Sequence, residues 1–229
     1  MQAARRAPAP IQDPSASDLA TRFSVSRETA EKLLVYVGAL RRWQGVRNLV
    51  GRSTLDQIWE RHIADSLQLA PLAEATEWVD LGTGAGLPGI VLALARPEIH
   101  VHLVESDGRK CAFLREAARL TGANVTVWDG RIEAVLPKLA PVPQVVVSRA
   151  LASLTELLSL SQSLLTGGAV GLFPKGRFYE AELTEALQSW RFGYNVLPSR
   201  TDPDGRILRI TDFGRRTLPE MQVGNQRDG

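Results

Sequence analysis

The chain has 229 residues, 44% of them hydrophobic, with a formal net charge of +2 and a single cysteine. That is enough for one α/β domain with a small extension, and the small net charge neither requires nor excludes nucleic acid. One cysteine excludes an internal disulfide, no apolar run reaches membrane-spanning length, and Arg5 and Arg6 lead into no hydrophobic signal core, so a soluble, cytoplasmic protein is expected.

Residues 1–17 are rich in Ala and Pro and are expected to form a disordered leader. A helical cap is expected over 18–75. Ser26 is a candidate N-cap, and Ala30, Leu33, Leu34, Val37 and Leu40 follow the helical repeat until Arg41-Arg42-Trp43, whose cations suit the helix's negative end. After Asn48-Leu49-Val50-Gly51 a second helix opens near Ser53 or Thr54, with Leu55, Ile58, Trp59, His62, Ile63 and Leu67 on one face. Arg41, Arg42, Arg47, Arg52 and Arg61 against Asp56 and Glu60 make this segment locally basic.

From 76 to 213 short β-rich runs alternate with helical ones. The runs are Trp78–Leu81, Val101–Glu105, Val125–Trp128, Val145–Ser148 and Ala169–Phe173; helical stretches start at Leu87, Arg109, Ser153 and Phe178, with a shorter one from Ile132. Such alternation predicts a parallel sheet with helices on both faces. Tyr194–Leu197 and Ile207–Thr211 are joined through Thr201-Asp202-Pro203-Asp204-Gly205, which has no room for a helix and predicts an antiparallel hairpin. Cys111 reads as a buried structural thiol, and residues 214–229 as a disordered tail.

The centre of this domain is Glu77-Trp78-Val79-Asp80-Leu81-Gly82-Thr83-Gly84-Ala85-Gly86-Leu87-Pro88-Gly89-Ile90, a strand, a glycine-rich turn and a helix start with proline in a tolerated position. Alternate glycines allow close approach to a ligand, and the helix N-terminus offers amides to a carboxylate or phosphate. Two cofactors fit the spacing. Gly84-x-Gly86-x-x-Gly89 satisfies the dinucleotide fingerprint with Glu105 as the ribose acid; Asp80-x-Gly82-x-Gly84-x-Gly86 resembles the first motif of S-adenosylmethionine-dependent methyltransferases. The antiparallel final pair favours the second. It points to a Rossmann-like class I methyltransferase fold: a mostly parallel seven-stranded sheet with an antiparallel last strand, plus the N-terminal cap.

Ligands of open α/β sheets bind at the carboxyl edge of the strands. Gly82, Gly84 and Gly86 are then expected to face the methionine part of the cofactor, with Leu87 close by and Glu105 accepting hydrogen bonds from the ribose. Ile132 and Glu133 fall where adenine would lie. The fourth strand ends in Val147-Ser148-Arg149-Ala150. It lacks the Asn or Asp followed by two prolines and an aromatic of amine methyltransferases, and Cys111 is elsewhere. An acceptor that needs little activation remains, and guanine N7, with a free lone pair and no proton to lose, is one. Arg149 is the candidate catalytic residue, its fork suited to guanine O6, phosphate or the cofactor; the alternative is a structural ion pair.

Asn48-Leu49, Arg61-His62-x-x-Asp65-Ser66, the stretch Asp80–Gly89, Ser148-Arg149-Ala150 and Lys175-Gly176 occur in this order in the bacterial RsmG (GidB) family, which this chain resembles from about 20 to 213. Phe173-Pro174 before Lys175 departs from the family's commoner aliphatic residues. The resemblance implies methyl transfer from S-adenosylmethionine to N7 of a guanine in 16S ribosomal RNA. Cofactor contacts carry onto Gly82, Leu87, Ile132, Glu133 and Arg149. By periodicity alone His62 is a core histidine and Arg61 with Asp65 a helix ion pair; the resemblance brings Arg61, His62 and Asp65 to the cofactor or RNA mouth. Lys175 and Arg206 are candidate RNA-phosphate contacts at the same sheet edge. The expected partner is 16S RNA or the small ribosomal subunit, with no membrane, no metal and a monomeric state. Two other classes stay open: a nicotinamide-dependent oxidoreductase and a noncatalytic RNA-binding assembly factor.

Overall fold

The computed structural model describes residues 13–45 and 49–215, so most of the expected leader, Arg47, Asn48 and the tail from 216 lie outside the described residues. Helix α1 (Ala16–Phe23) starts within the stretch expected as leader. Ser15 and Asp18 cap it reciprocally, the Ser15 hydroxyl accepting from the Asp18 amide and the Asp18 carboxylate from the Ser15 amide. Ser26 then caps α2 (Arg27–Gln44), accepting from the Thr29 amide at 3.0 Å. Ala30, Leu33, Tyr36, Val37 and Leu40 form its buried face, where truncating Leu33 to Ala should cost about 2–5 kcal/mol.

The second cap helix is not a regular α-helix. It runs as a 3-10 turn Arg52–Gln57, a π-helical turn Trp59–Ala64 and the short α3 (Asp65–Leu67). Ile58, Trp59, His62 and Ile63 are nonetheless buried, as the apolar periodicity requires. Arg41 is not part of an open basic patch: it pairs with Asp13, whose other oxygen accepts from the Trp59 indole at 3.0 Å.

The sheet contains β1 (Glu77–Leu81), β2 (His100–Glu105), β3 (Val125–Asp129), β4 (Val145–Val147), β5 (Val170–Lys175), β6 (Trp190–Pro198) and β7 (Arg206–Arg215). Their order is β3-β2-β1-β4-β5-β7-β6, parallel except that β7 is antiparallel to both neighbours. Between them run α4 (Gly89–Ala95), α5 (Gly108–Thr121), α6 (Ile132–Val135), α7 (Leu154–Leu160), α8 (Gln162–Thr166) and α9 (Tyr179–Ser189). The predicted alternation and terminal hairpin are both present. The strand order reverses between β1 and β4, and this switch point puts the carboxyl ends of both strands beside one crevice.

Apolar side chains fill both faces of the sheet. On one face α2, α4 and α5 bury Leu33, Ile90 and Phe113; on the other Leu157, Phe173 and Ile210 pack together. Pro174 does not break β5: it pairs with Ile207 of β7, so the departure from the family's aliphatic residues leaves the strand intact. Among the described residues no helix is long and apolar enough to cross a membrane.

Candidate active site

The turn after β1 is built by glycines with different tasks. Gly82, Gly84 and Gly86 have φ of 65, 58 and 86°, in the left-handed region that side chains disfavour. A Cβ on Gly86 would fall 2.6 Å from Ile90 Cδ1, one on Gly82 2.7 Å from Leu151 Cδ1, and one on Gly89 would strike Leu103 and Asp80. At Gly84 the same atom meets only Gly82 O, at 3.9 Å. Three of these glycines allow the protein to pack on itself, while Gly84 leaves bare backbone facing open space.

Asp80, fully buried at the end of β1, organises the turn from below. Its Oδ2 accepts from the Thr83 hydroxyl at 2.5 Å and the Gly89 amide at 2.8 Å, while Oδ1 has no protein partner. Burial pushes its carboxyl up to about 7, against the pull of those hydrogen bonds and of Arg149. The α4 N-terminus is therefore already satisfied at Gly89 by an internal carboxylate and does not offer that amide to a ligand. From above, Tyr36 of α2, also fully buried, donates to Ala85 O at 2.6 Å and ties the cap to the turn. Sequence reasoning missed Tyr36 because it lies 49 residues away on an otherwise apolar helix face.

Glu105 reaches this turn from the end of β2. Its Oε2 accepts from the Gly84 amide at 3.0 Å, and its Oε1 from the Ser106 and Asp107 amides at 2.9 Å. The carboxylate is thus fixed between two loops, with lone pairs left for hydroxyl groups. Ile132 is half-buried and Glu133 exposed in the first turn of α6. Leu87, by contrast, is 4% exposed and belongs to the core on the cap side. Cys111 is buried, and burial raises its thiol to about 11, as suits a structural thiol.

At the end of β4 the Ser148 hydroxyl donates to Leu81 O at 2.8 Å and joins the two strand ends across the switch point. Arg149 turns toward the cap. Its Nη1 donates to Arg61 O at 3.1 Å and Asp65 Oδ2 at 3.2 Å, and its Nη2 to His62 Nδ1 at 2.9 Å. The Thr54 hydroxyl donates to Gly51 O, so it accepts from His62 Nε2 at 2.8 Å, and the ring is the neutral Nε2–H tautomer. Burial and then Arg149 push the His62 pKa down to about 4. Asp65 Oδ1 accepts from Gln68 and from Thr201, both at 2.8 Å. The block Arg61-His62-x-x-Asp65 is thus the holder of Arg149.

Beside Arg149 opens a cavity of about 670 Å³, walled by the cap, the loop after β4, the end of β5 and the β6–β7 turn. Arg61, His62, Asp65, Lys175 and Arg206 all line it, so the structure brings the expected RNA-side residues together. Their chemistry differs. Arg61 is half exposed and only loosely paired with Asp202, at 3.4 Å. Arg206 donates to Pro203 O and Gly205 O and lies over the Tyr179 ring. Lys175 is 8% exposed, with its Nζ on Glu182 Oε2 and Ala152 O, so two of its three donors are already taken within the protein.

Among the described residues one group has the makings of a metal site: Glu77, His100 and His102 at the amino edge of the sheet. The Trp128 indole donates to His102 Nδ1 at 3.0 Å, which leaves the proton on His102 Nε2, 3.6 Å from Glu77 Oε2. That nitrogen has no lone pair for a metal; the hydrogen bonds of the group run from His100 to Glu77 and Thr126 and from Trp128 to His102, while His102 Nε2 itself has no hydrogen-bond partner among the described residues.

Comparison with known proteins follows the same lines. The sequence model of the GidB family, described as rRNA small subunit methyltransferase G, matches residues 29–200. A protein of Methylorubrum populi named ribosomal RNA small subunit methyltransferase G is 56% identical over 87% of this chain and 96% of its own length. One of the same name from Rhodospirillum centenum is 52% identical over 91% and 94%. Among solved structures, a methyltransferase from Geobacter sulfurreducens has a TM-score of 0.55 at 16% identity, covering 77% of this chain and 87% of that one. M. jannaschii TYW2 in complex with AdoMet has a TM-score of 0.52 at 18% identity, covering 68% and 76%. Both show the fold.

Proposed function

This chain belongs to the GidB family of rRNA small subunit methyltransferases, and we propose that it transfers the methyl group of S-adenosylmethionine to N7 of a guanine in the 16S RNA of the small ribosomal subunit. The cofactor fits the residues present. Gly84 leaves bare backbone open to a ligand, Asp80 Oδ1 is a buried oxygen without a protein partner, and Glu105 is held between two loops with lone pairs for ribose hydroxyls. When bound, the cofactor supplies an electrophilic methyl group. In this reading Ile132 and Glu133, in the first turn of α6, would hold the adenine, and the buried Leu87 supports the turn from within.

One observation supports an acceptor that keeps no proton: among the described residues that line the cavity, each carboxylate and histidine already has a partner, Asp202 the most loosely. Asp65 is paired with Arg149, Glu182 with Lys175 and Asp202 with Arg61, and both nitrogens of His62 are engaged. Guanine N7 attacks with its own lone pair, so the protein's work is to place the base in line and exclude water. Arg149, held at the mouth, is the catalytic contact for O6 or phosphate; it cannot occupy N7 while N7 attacks. Arg61 and Arg206 supply charge to the RNA backbone, while His62 and Asp65 act through Arg149. A soluble cytoplasmic monomer is part of the same reading. The test is transfer of labelled methyl to small subunits that lack the modification, with mapping of the labelled base. N7-methylguanine in 16S RNA is expected; label on an exocyclic amine, a ribose or no RNA at all would overturn the proposal.

A further inference from the structure

The loop from Arg149 to Leu154 lines the cavity and, through Leu151 on Gly82, touches the glycine turn, and it is fastened at both ends. At its start Ser148 and Arg149 are tied to Leu81 O and to the cap. Ala150 then takes φ of 54°, a left-handed conformation that a residue with a Cβ adopts only when its surroundings impose it, and Leu151 lies on Gly82. At its end Lys175 Nζ donates to Ala152 O at 2.8 Å and to Glu182 Oε2 at 2.7 Å, while the Leu154 amide donates to the same Glu182 oxygen at 2.7 Å.

We propose that Lys175 and Glu182 are positioning residues for methyl transfer: as one partly buried ion pair between β5 and α9 they fix the backbone of Ala152 and Leu154, and so hold Leu151 and Arg149 at the reacting edge. Geometry distinguishes this role from phosphate binding. A lysine 8% exposed, with two oxygens in place, has one proton left to offer, and turning to a phosphate would give up both of its bonds to the loop and α9. The spacing of β5 and α9 lets both side chains meet on the loop's exit, so the pair clamps it where no backbone ladder does. The inference rests on the methyl-transfer reading of the site.

The test uses the whole protein and small subunits that lack the modification. In Lys175→Met the single-turnover rate with saturating cofactor and subunit should fall about 10- to 100-fold, the scale of a misplaced reacting group. Affinity for S-adenosylhomocysteine and for the subunit should stay within about threefold, since neither partner is touched directly. Glu182→Ala should behave like Lys175→Met, and Glu182→Gln, which keeps an acceptor oxygen, should restore most of the rate. Hydrogen exchange of the Leu154 amide should quicken in the two damaging variants and not at Gly84. Should an unpaired buried charge unfold the single variants, Lys175→Met combined with Glu182→Met removes both charges, and this folded protein should still be slow. An unchanged rate with weaker subunit binding and a salt slope reduced by about one would make Lys175 a phosphate contact and overturn the inference. So would a folded double variant as fast as wild type. A wild type that labels no RNA would instead remove the underlying reading, an outcome distinct from any difference between variants.

Discussion

Gly84→Val tests whether the open face of the glycine turn holds the cofactor. A Cβ at this position meets nothing closer than Gly82 O at 3.9 Å, so the Cβ itself collides with nothing and the backbone strain comes from the left-handed φ of 58°. That conformation costs an L-residue roughly 1–2 kcal/mol, or about 2–8 °C of melting temperature in a protein of this size. Gly122, which ends α5 with φ of 65° and nothing within 4 Å of its Cβ position, is a control with the same strain away from the site. The assay is thermal unfolding with and without S-adenosylhomocysteine, followed by calorimetry. Ligand at a hundredfold excess over its Kd adds about 2.7 kcal/mol, raising the wild-type midpoint by about 5–11 °C. Gly122→Val should melt lower yet keep that rise; Gly84→Val should melt lower and lose it. A folded Gly84→Val with the full ligand-induced rise would show that the cofactor does not lie on this turn.

The other expectations use separate parts of the site. Tyr36→Phe keeps the volume but leaves Ala85 O without its donor, which should cost about 1–3 kcal/mol in melting experiments and weaken S-adenosylhomocysteine binding in calorimetry; unchanged values for both would make the hydroxyl idle. Arg149→Lys keeps the charge and loses the fork that reaches Asp65 and His62 at once, so the methylation rate should fall sharply, while in wild type the single-turnover rate should be flat from about pH 6.5 to 9. A rate rising tenfold per pH unit there would require an acceptor that loses a proton. The pKa of His62 is lowered to about 4, so the unfolded chain takes up its proton first; the associated stability is complete above the ordinary value near 6.5 and is lost as pH falls toward 4, a loss that His62→Gln should remove from the melting profile. Asp80 has the opposite sign: its carboxyl is raised to about 7, so its burial weighs against folding as pH rises from about 4 through 7, and Asp80→Asn should flatten that part of the profile.

The alternation of strands and helices was legible because parallel strands covered on both faces read as short apolar runs, as in Val145-Val146-Val147, and because a glycine-rich turn between a strand and a helix marks the start of a βαβ unit. Helix α1 was not, since Leu19 is its one fully buried residue and the composition around it is that of a leader; the local signal was Ser15 with Asp18 three residues on. Periodicity placed His62 on the buried face but cannot distinguish an α-turn from a π-turn, and it does not show that Arg61 O and His62 of that turn, with Asp65 just after it, meet at one guanidinium. Those contacts join residues 84 to 88 apart. No local pattern records them, and the same holds for Arg41, whose charge looked free until Asp13 was beside it.

The cap's hold on Arg149 has a further electrostatic sense. A cationic methyl donor is favoured near Asp80 and Glu105 and disfavoured near a guanidinium, yet an electron-rich base or phosphate in the cavity is drawn to that same guanidinium. Arg61 O, His62 Nδ1 and Asp65 Oδ2 all accept from Arg149 on the cap side, which keeps the cation at the cavity wall. This works only while His62 is neutral, because a protonated ring has no acceptor to offer and adds a second positive charge. With its pKa held near 4 the ring stays an acceptor across the whole neutral range. The histidine of the Arg-His-x-x-Asp block therefore serves as a fixed acceptor for the arginine rather than as a proton carrier, which agrees with a reaction in which the attacking nitrogen has no proton to give up.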